Sequence, residues 1–247
     1  MIGLCGAQGS GKSTIAAALT ADLNAAGISA ATLSLDDLYL GKAARLKLAS
    51  DVHPLLRTRG VPGTHDVALG LALFDGLDRG KAVCLPRFDK ALDDRSAEAN
   101  WTPVPAGLEV LLFEGWCIGA VSQPAAALSS PINALDRDED ADGSWRRFVN
   151  AALGLDYQRL FARLDRLVLL AAPSFDAVYT WRQQQEHELS RHQAGSGIMS
   201  DAELQRFVAH YERLTRHILS EMPGRADLTI NLDTARAVSS TWPAQLC

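Results

Sequence analysis

A glycine-rich stretch near the start of the chain has the residue types and spacing of a phosphate-binding loop. Residues 6–14 read GAQGSGKST and fit the pattern G-x-x-x-x-G-K-[ST]. The apolar residues 2–5 predict a short buried strand before the loop, and residues 15–26 predict a helix after it. Glycines let such a loop turn its backbone N–H groups into one concavity, and the helix N-terminus adds partial positive charge. This context favours a polyphosphate site over a glycine-rich turn that merely starts a helix.

Two side chains of this loop have predicted chemical roles. Lys12 is expected to reach the β- and γ-phosphates of a nucleotide, and Ser13 is expected to bind Mg²⁺ through its hydroxyl. The predicted nucleotide-binding residues are Gly6, Ala7, Gln8, Gly9, Ser10, Gly11, Lys12, Ser13 and Thr14. The loop therefore predicts a nucleotide and Mg²⁺ as ligands.

Acidic residues follow two predicted buried strands. Residues 30–35 predict a strand that ends at Asp36 and Asp37, and residues 108–113 (LEVLLF) predict the most apolar strand, which ends at Glu114. Ligands of parallel sheets collect beyond the carboxyl ends of the strands, so these acids should stand beside the phosphate loop. Asp36 is the predicted general base, and Glu114 is the predicted Mg²⁺-associated acid. Asp37 could equally N-cap a helical stretch that starts near residue 38.

Two polar loops carry further candidates. Residues 57–66 (RTRGVPGTHD) form a turn-rich loop that is too polar to be a plain connector. Its last residue, Asp66, could bind a substrate or N-cap the helix predicted over residues 67–79, and the pattern leaves both open. A second polar loop begins with PRFDK at residues 86–90. Arg, Lys and Asp side chains together on a loop are typical of a binding site.

Other segments are predicted to be structural. Residues 41–50 predict an exposed helix whose positive charges, Arg45 among them, face solvent and have no function. The aspartates of residues 136–143 have calcium-loop spacing, but Val149 occupies the position of the bidentate Glu, so a solvated acidic loop is predicted instead. Residues 145–164 predict a single helix.

The second half of the chain supplies two more strands and a candidate lid. Residues 166–171 and 228–232 predict the last core strands. The helix predicted over residues 175–189 carries Arg182, and glycines within residues 195–197 break the chain after it. This arrangement suits a lid that closes over phosphates, although a surface charge is the alternative for its arginines. The whole pattern predicts an α/β fold with about five core strands in a parallel sheet between helices, and with a helical lid.

Composition limits the partners and the setting. The chain has 247 residues, of which 47% are hydrophobic, and this suits a single domain over residues 1–247 with insertions near 132–150 and 175–200. The net charge of −5, without a long basic run, argues against nucleic acid and for a small anionic partner. No apolar run has membrane-spanning length, and the first strand leaves no room for a signal peptide. The four cysteines lack metal or disulfide spacing, so a cytoplasmic location is expected.

Taken together, these motifs resemble the D-glycerate 3-kinase family of P-loop kinases almost end to end. The resemblance is carried by the phosphate loop, SLDDLY (34–39), RGVPGTHD (59–66), PRFDK (86–90), FEGW (113–116), WRQQQE (181–186) and MSD (199–201). The chain is similar, more loosely, to uridine kinase, phosphoribulokinase and bacterial pantothenate kinase. One departure is Ala91-Leu92, which stands where a small hydroxyl residue is expected beside Lys90.

The resemblance implies a P-loop NTPase-type fold and an enzyme that uses ATP and Mg²⁺ to phosphorylate a primary hydroxyl of a small hydroxy acid, D-glycerate above all, giving 3-phosphoglycerate. It implies Asp36 as the base, with Lys12 and the lid residue Arg182 as further catalytic residues. The implied substrate-binding residues are Asp37, Tyr39, Arg59, His65, Asp66 and Lys90. The alternatives are a sibling kinase for a nucleoside, a pantothenate-like molecule or another sugar acid, and a non-catalytic ATP-binding module. A GTPase is disfavoured because no N-K-x-D motif follows the later strands.

Overall fold

The computed structural model describes residues 1–192 and 199–243. The strands in these residues are β1 (Ile2–Gly6), β2 (Ala30–Ser34), β3 (Val83–Leu85), β4 (Phe88–Asp89), β5 (Asp94–Arg95), β6 (Thr102–Val104), β7 (Val110–Gly115), β8 (Arg166–Ala171), β9 (Leu228–Leu232) and β10 (Val238–Trp242). The α-helices are α1 (Lys12–Ala25), α2 (Lys42–Asp51), α3 (Val67–Asp78), α4 (Ala134–Asp138), α5 (Ser144–Gly154), α6 (Asp156–Phe161), α7 (Phe175–His192) and α8 (Asp201–Glu221).

The main sheet has the order β10-β9-β8-β1-β7-β2. Its five strands from β9 to β2 are parallel, and β10 adds an antiparallel edge through a hairpin. The predicted α/β fold with about five parallel core strands is confirmed. Since β1 lies between β7 and β8, the loop that follows β1 emerges at the middle of the carboxyl edge of the sheet.

Both faces of the sheet are covered by helices. Neighbouring residues of a strand point to opposite faces, so Leu4 and Cys5 of β1 belong to different apolar clusters. The Cys5 cluster includes Phe74 of α3, and the Leu4 cluster includes Trp181 of α7. Strands buried on both faces read as continuous apolar runs, which is why LEVLLF in β7 was informative.

Two short antiparallel pairs lie outside the main sheet. The first pair consists of β3 and β6. The β4–β5 pair forms a hairpin in which Phe88 is opposite Arg95. Lys90 lies in the turn of this hairpin, so the polar loop that begins at residue 86 contains regular secondary structure.

Two predictions for polar segments are wrong, and in both a buried ion pair is the reason. Arg45 of α2, which was expected to face solvent, is 1% exposed. The acidic segment after residue 136 is not solvated, because Asp136 and Asp140 are each 1% exposed. Asp136 Oδ2 lies 2.5 Å from Arg213 of α8, and Asp140 Oδ2 lies 2.9 Å from Arg146 of α5. Sequence patterning predicts charged residues at the surface, and it does not show which of them are buried with a partner, whether that partner is near in the chain, as for Asp140, or distant, as for Asp136.

The helix predicted over residues 145–164 is also corrected. It is divided into α5 and α6 at Leu155, whose backbone is non-helical at φ −110° and ψ −94°. The predicted glycine break at residues 195–197 lies outside the described residues. Within the described part of the chain, no helix is long and apolar enough to cross a membrane.

Candidate active site

The phosphate loop has the conformation that its glycines predict. Gly9 and Gly11 have φ values of 80° and 86°, in the left-handed region that favours glycine. At Gly9 there is also no room for a side chain, since a Cβ there would lie 2.7 Å from the Cβ of Trp181. The Ser10 hydroxyl is buried and has no hydrogen-bond partner among the described residues. The loop thus forms a polar cradle next to the N-terminus of α1, which suits a phosphate group.

Ser13 and Glu114 meet beside this cradle. Ser13 Oγ donates a hydrogen bond of 3.0 Å to Glu114 Oε1, and Lys12 Nζ lies 4.0 Å from Glu114 Oε2. Glu114 is 4% exposed, and its Oε2 accepts no hydrogen bond within the described residues. A hydroxyl and a carboxylate with a free oxygen are donors that Mg²⁺ prefers, so these two residues fit the ion.

Asp36 is held on two sides. It lies in a short 3₁₀ turn, Leu35–Leu38, that begins where β2 ends. Lys90 Nζ lies 2.7 Å from Asp36 Oδ2, and Tyr39 Oη donates to Oδ1 at 2.9 Å. Burial acts to raise the pKa of the Asp36 carboxyl, but the Lys90 charge and the two hydrogen bonds outweigh burial and lower the pKa below its ordinary value. Asp36 is therefore ionised, as a base requires.

Asp37 forms hydrogen bonds with residues at the start of the β4–β5 hairpin. It accepts from Arg87 Nη1 at 2.7 Å and from the Phe88 N–H at 3.1 Å. The predicted N-cap role of Asp37 is thus wrong. Asp37 lies within the Leu35–Leu38 turn, and the N-cap of that turn is Ser34. Asp37 ties the end of β2 to the β4–β5 hairpin and thereby helps to position Lys90 opposite Asp36.

A cleft of about 520 Å³ joins the phosphate loop to these acids and to the acceptor loops. Its lining residues are Gln8, Gly9, Lys12, Ser13, Ser34, Asp36, Asp37, Tyr39, Arg59, Lys90, Glu114, Trp116, Arg182, Gln185, Phe207 and Tyr211. Most of the predicted catalytic and substrate-binding side chains thus share one cavity. A cleft that faces Lys12 on one wall and Asp36 on another can bring a phosphate and a hydroxyl together.

His65 and Asp66 do not line this cleft. His65 is 5% exposed; its ring stacks on Tyr39 with centroids 4.6 Å apart, and its Nδ1 lies 2.5 Å from Tyr157 Oη. Asp66 N-caps α3 by accepting from the Leu69 N–H at 3.0 Å, which confirms the capping alternative, and its other oxygen pairs with Arg95 at 3.1 Å. Both residues therefore contact neighbours of the cleft: His65 packs on Tyr39, which lines it, and Asp66 pairs with Arg95 of the β4–β5 hairpin.

Arg182 reaches the cleft from α7. Its Nη2 lies 2.8 Å from Glu186 Oε2, and its guanidinium lies 5.6 Å from the ring centroid of Phe207 in α8. Glu186 Oε1 also accepts from the Met199 N–H at 3.1 Å, where the described chain resumes before α8. The candidate lid arginine is therefore linked through Glu186 to Met199, just before α8.

Sequence reasoning missed the aromatic wall of the cleft and one arginine. Phe207 and Tyr211 of α8 line the cavity, and Tyr211 Oη donates to the Arg59 carbonyl at 3.2 Å. Arg236, in the β9–β10 turn, donates from Nε to the Gly9 carbonyl at 2.7 Å. The apolar spacing of α8 marks its buried face but not what that face meets, and no local pattern marks Arg236.

Known proteins are similar to this chain in sequence and in fold. No family model matches it. Over 221 residues it is 38% identical to "Uncharacterized kinase mug58" of Schizosaccharomyces pombe, a match that covers 85% of this chain and 78% of that protein. It is 31% identical to the chloroplastic D-glycerate 3-kinase of Arabidopsis thaliana over 85% of this chain and 46% of that protein. A solved D-glycerate 3-kinase from Cryptococcus neoformans superposes with a TM-score of 0.80 at 26% identity, covering 97% of this chain and 88% of that one.

This chain belongs to the D-glycerate 3-kinase family of P-loop kinases. Within the family it is an enzyme, an ATP-dependent phosphotransferase that acts on an alcohol group of a small molecule. The fold extends further, since phosphoribulokinase from Rhodobacter spheroides superposes with a TM-score of 0.54 at 10% identity. That similarity shows the shared architecture alone.

Proposed function

We propose that this enzyme transfers the γ-phosphoryl group of ATP to the primary hydroxyl of D-glycerate and gives 3-phosphoglycerate. The observation that supports this substrate best is that Arg59 and Lys90, two cations, line the same cleft as Asp36 and the phosphate loop. A carboxylate taken from water into a closed site requires fixed cations, since an unpaired anion there costs several kcal/mol. The names of the Arabidopsis and Cryptococcus relatives support the same acceptor.

The residues of the chain divide the work of the transfer. Lys12 and the backbone of residues 6–14 bind the phosphates, and Arg182 neutralises charge on the transferred group. Asp36 accepts the proton of the acceptor hydroxyl while the hydroxyl oxygen bonds to the γ-phosphorus and the bond from that phosphorus to the bridging oxygen breaks. Ser13 and Glu114 would hold Mg²⁺, which supplies charge neutralisation for the phosphates. Positioning and electrostatics suffice, and no covalent enzyme intermediate is involved.

Lys90 links acceptor binding to the base. Its ammonium pairs with Asp36 at 2.7 Å, and its side chain is 62% exposed, so it can move. An incoming carboxylate competes for the same ammonium. Asp36 then loses its cation and becomes a better proton acceptor when the substrate is present, because removing a positive neighbour raises the pKa of a carboxyl.

The second candidate is a sibling kinase, which differs from this proposal only in the acceptor.

We further propose that residues 1–247 form one kinase domain and that the enzyme works in the cytoplasm. The described cysteines support a reducing compartment, because Cys5, Cys84 and Cys117 are all free thiols.

An acceptor panel with ATP and Mg²⁺ tests the proposal. D-Glycerate, glycerol, pantothenate and uridine are compared by kcat/KM, and the phosphorylated position is read by NMR. D-Glycerate is expected to be preferred over glycerol, with the phosphate on the primary oxygen. Asp36→Asn should lower kcat by about 10²–10⁴-fold with little change in the KM for ATP, the usual size of general-base catalysis. Turnover of glycerol or uridine as fast as D-glycerate would overturn the proposal.

A further inference from the structure

A buried arginine stands behind the acceptor side of the cleft. Arg45 of α2 is 1% exposed, and its guanidinium donates to the Leu40 carbonyl at 3.0 Å and to the Arg57 carbonyl at 2.8 Å. Its Nη2 also lies 2.6 Å from the Asp93 carbonyl and 2.9 Å from Asp93 Oδ2. A fully buried guanidinium costs several kcal/mol unless it is paired and hydrogen-bonded, and here all of its nitrogens are engaged.

Asp93 connects this buried cation to the cleft. It lies in the turn of the β4–β5 hairpin with a left-handed backbone at φ 54°, which is uncommon for a residue other than glycine. One carboxylate oxygen, Oδ2, faces Arg45, and the other, Oδ1, accepts from Arg59 Nη1. Burial acts to raise the Asp93 pKa, but the hydrogen bonds and charges of the two arginines outweigh it and lower the pKa. The carboxylate is therefore a charged bridge between them.

Hydrogen bonds hold the backbone at Arg59, and its side chain pairs with Asp93. Its carbonyl accepts from Tyr211 Oη at 3.2 Å, and the next carbonyl, that of Gly60, accepts from Trp116 Nε1 at 2.8 Å. Its guanidinium lies 5.4 Å from the ring centroid of Phe88. Among the described residues, Asp93 is the acid that pairs with Arg59. The Phe88 ring and the Asp93 carboxylate are therefore the two groups that hold the guanidinium.

Charge explains why Arg45 is needed. A lone aspartate paired with Arg59 would cancel its charge and weaken its attraction for an anionic acceptor. With Arg45 on the far side, the three groups carry one net positive charge. Among the described residues the Arg59 guanidinium bonds to Asp93 through Nη1, so its other donors remain for a ligand in the cleft that Arg59 lines. The buried cation thereby allows Asp93 to orient Arg59 without neutralising it.

We propose that Asp93 and Arg45 are positioning residues that aim the Arg59 guanidinium at the acceptor carboxylate and so set the preference for an acidic over a neutral acceptor. This inference rests on the proposed function. The competing explanation is that Asp93 and Arg45 only anchor the hairpin to α2. The two differ in what they predict for neutral acceptors, because an anchoring role would affect every acceptor equally.

A double-mutant cycle separates these explanations. Asp93→Asn is expected to lower kcat/KM for D-glycerate by about 10- to 100-fold, mainly through KM, because a misdirected contact loses its geometric advantage. Turnover of glycerol and the KM for ATP should stay near wild type. In an Arg59→Ala background the same substitution should cost little more, since its effect passes through Arg59. Asp93→Gly serves as a second variant, because glycine accepts the left-handed backbone without strain.

Asp94→Asn is the matched control. Asp94 Oδ1 accepts from the Lys42 N–H at 3.2 Å, so it also joins the hairpin to α2, but within the described residues it makes no hydrogen bond or ion pair with Arg59. Its substitution should leave the glycerate-to-glycerol ratio unchanged. If Asp93→Asn lowered turnover of both acceptors equally, or added its full cost in the Arg59→Ala background, the positioning role would be wrong while the proposed function stood. A wild-type enzyme without a preference for D-glycerate would contradict the proposed function itself.

Discussion

His65 is a residue whose burial decides its charge. It is enclosed by Tyr39 and Tyr157, and its Nε2 has no hydrogen-bond partner in the described part of the chain. Burial lowers the pKa of His65 to about 3, although the nearby charge of Asp36 acts in the opposite direction. The imidazole is therefore neutral near pH 7, and its ring stacks on Tyr39, which in turn donates to Asp36.

This burial predicts a pH dependence of stability. The unfolded chain protonates His65 near its ordinary pKa of about 6.5, whereas the folded chain does not do so until about pH 3. Between these values the unfolded state binds more protons, so the free energy of unfolding falls as the pH falls. Compared with His65→Gln, the wild type should lose up to about 1.4 kcal/mol more per pH unit below pH 6. Urea unfolding of both proteins at pH 7, 6 and 5 measures this, and parallel pH profiles would contradict it.

At the scale of elements, the β9–β10 hairpin reaches back to the phosphate loop. Arg236 has a left-handed backbone at φ 68° in the turn of this hairpin. Besides its bond to the Gly9 carbonyl, it lies 5.4 Å from the Trp181 ring centroid and donates to Gln184 Oε1 at 2.9 Å. One side chain thus joins the edge of the sheet, the phosphate loop and α7.

Loss of this contact should weaken nucleotide binding without affecting the acceptor. Arg236→Ala is expected to raise the KM for ATP by roughly 3- to 30-fold, because a charge-assisted hydrogen bond contributes about 1–2 kcal/mol. The KM for the acceptor should not change. Arg216→Ala is a suitable control, since Arg216 lies over the Phe175 ring and not at the phosphate loop. An equal effect of the two substitutions on the KM for ATP would contradict the role of Arg236.

The elements that the sequence predicted well are those whose signals are local. The phosphate loop and the strands that end in Asp36 and Glu114 are read from a few adjacent residues, and the sheet brings them together as parallel topology requires. The functions of Asp66 and Arg45 could not be read this way. Whether an aspartate also pairs with an arginine, or whether an arginine is buried, depends on partners about 30 to 50 residues away, such as Arg95 for Asp66 and Asp93 for Arg45.

At the scale of the whole molecule, one buried ion pair joins the segment of residues 125–161 to α8, and a second buried pair lies within the segment. Asp140 pairs with Arg146, and its oxygens also accept from the Trp145 N–H at 2.8 Å and the Arg146 N–H at 3.2 Å. Asp136 pairs with Arg213 in α8, the helix that supplies Phe207 and Tyr211 to the cleft. The Asp136–Arg213 pair therefore connects this segment to a wall of the active site, whereas the Asp140–Arg146 pair lies within the segment.

Breaking the buried Asp140–Arg146 pair should destabilise the whole fold. Asp140→Ala is expected to lower the free energy of unfolding by about 3–5 kcal/mol, because it leaves the buried Arg146 without a counter-charge. Asp138→Ala is the matched control: Asp138 pairs with Arg137 at 2.9 Å, and the two side chains are 60% and 63% exposed. An exposed pair contributes only about 0–1 kcal/mol. Equal losses in urea unfolding would contradict the importance of burial.

The position of β1 also bears on how the enzyme is made by the ribosome. Ile2 pairs with Leu112 of β7 and with Arg166 of β8, so β1 has no neighbour in the sheet until these much later strands have left the exit tunnel. The hydrogen bond from Arg236 to the Gly9 carbonyl forms later still. The phosphate loop is therefore synthesised before each of these segments that support it. Arg59 and Lys90 of the cleft are also synthesised before Arg236 can complete the support of the loop.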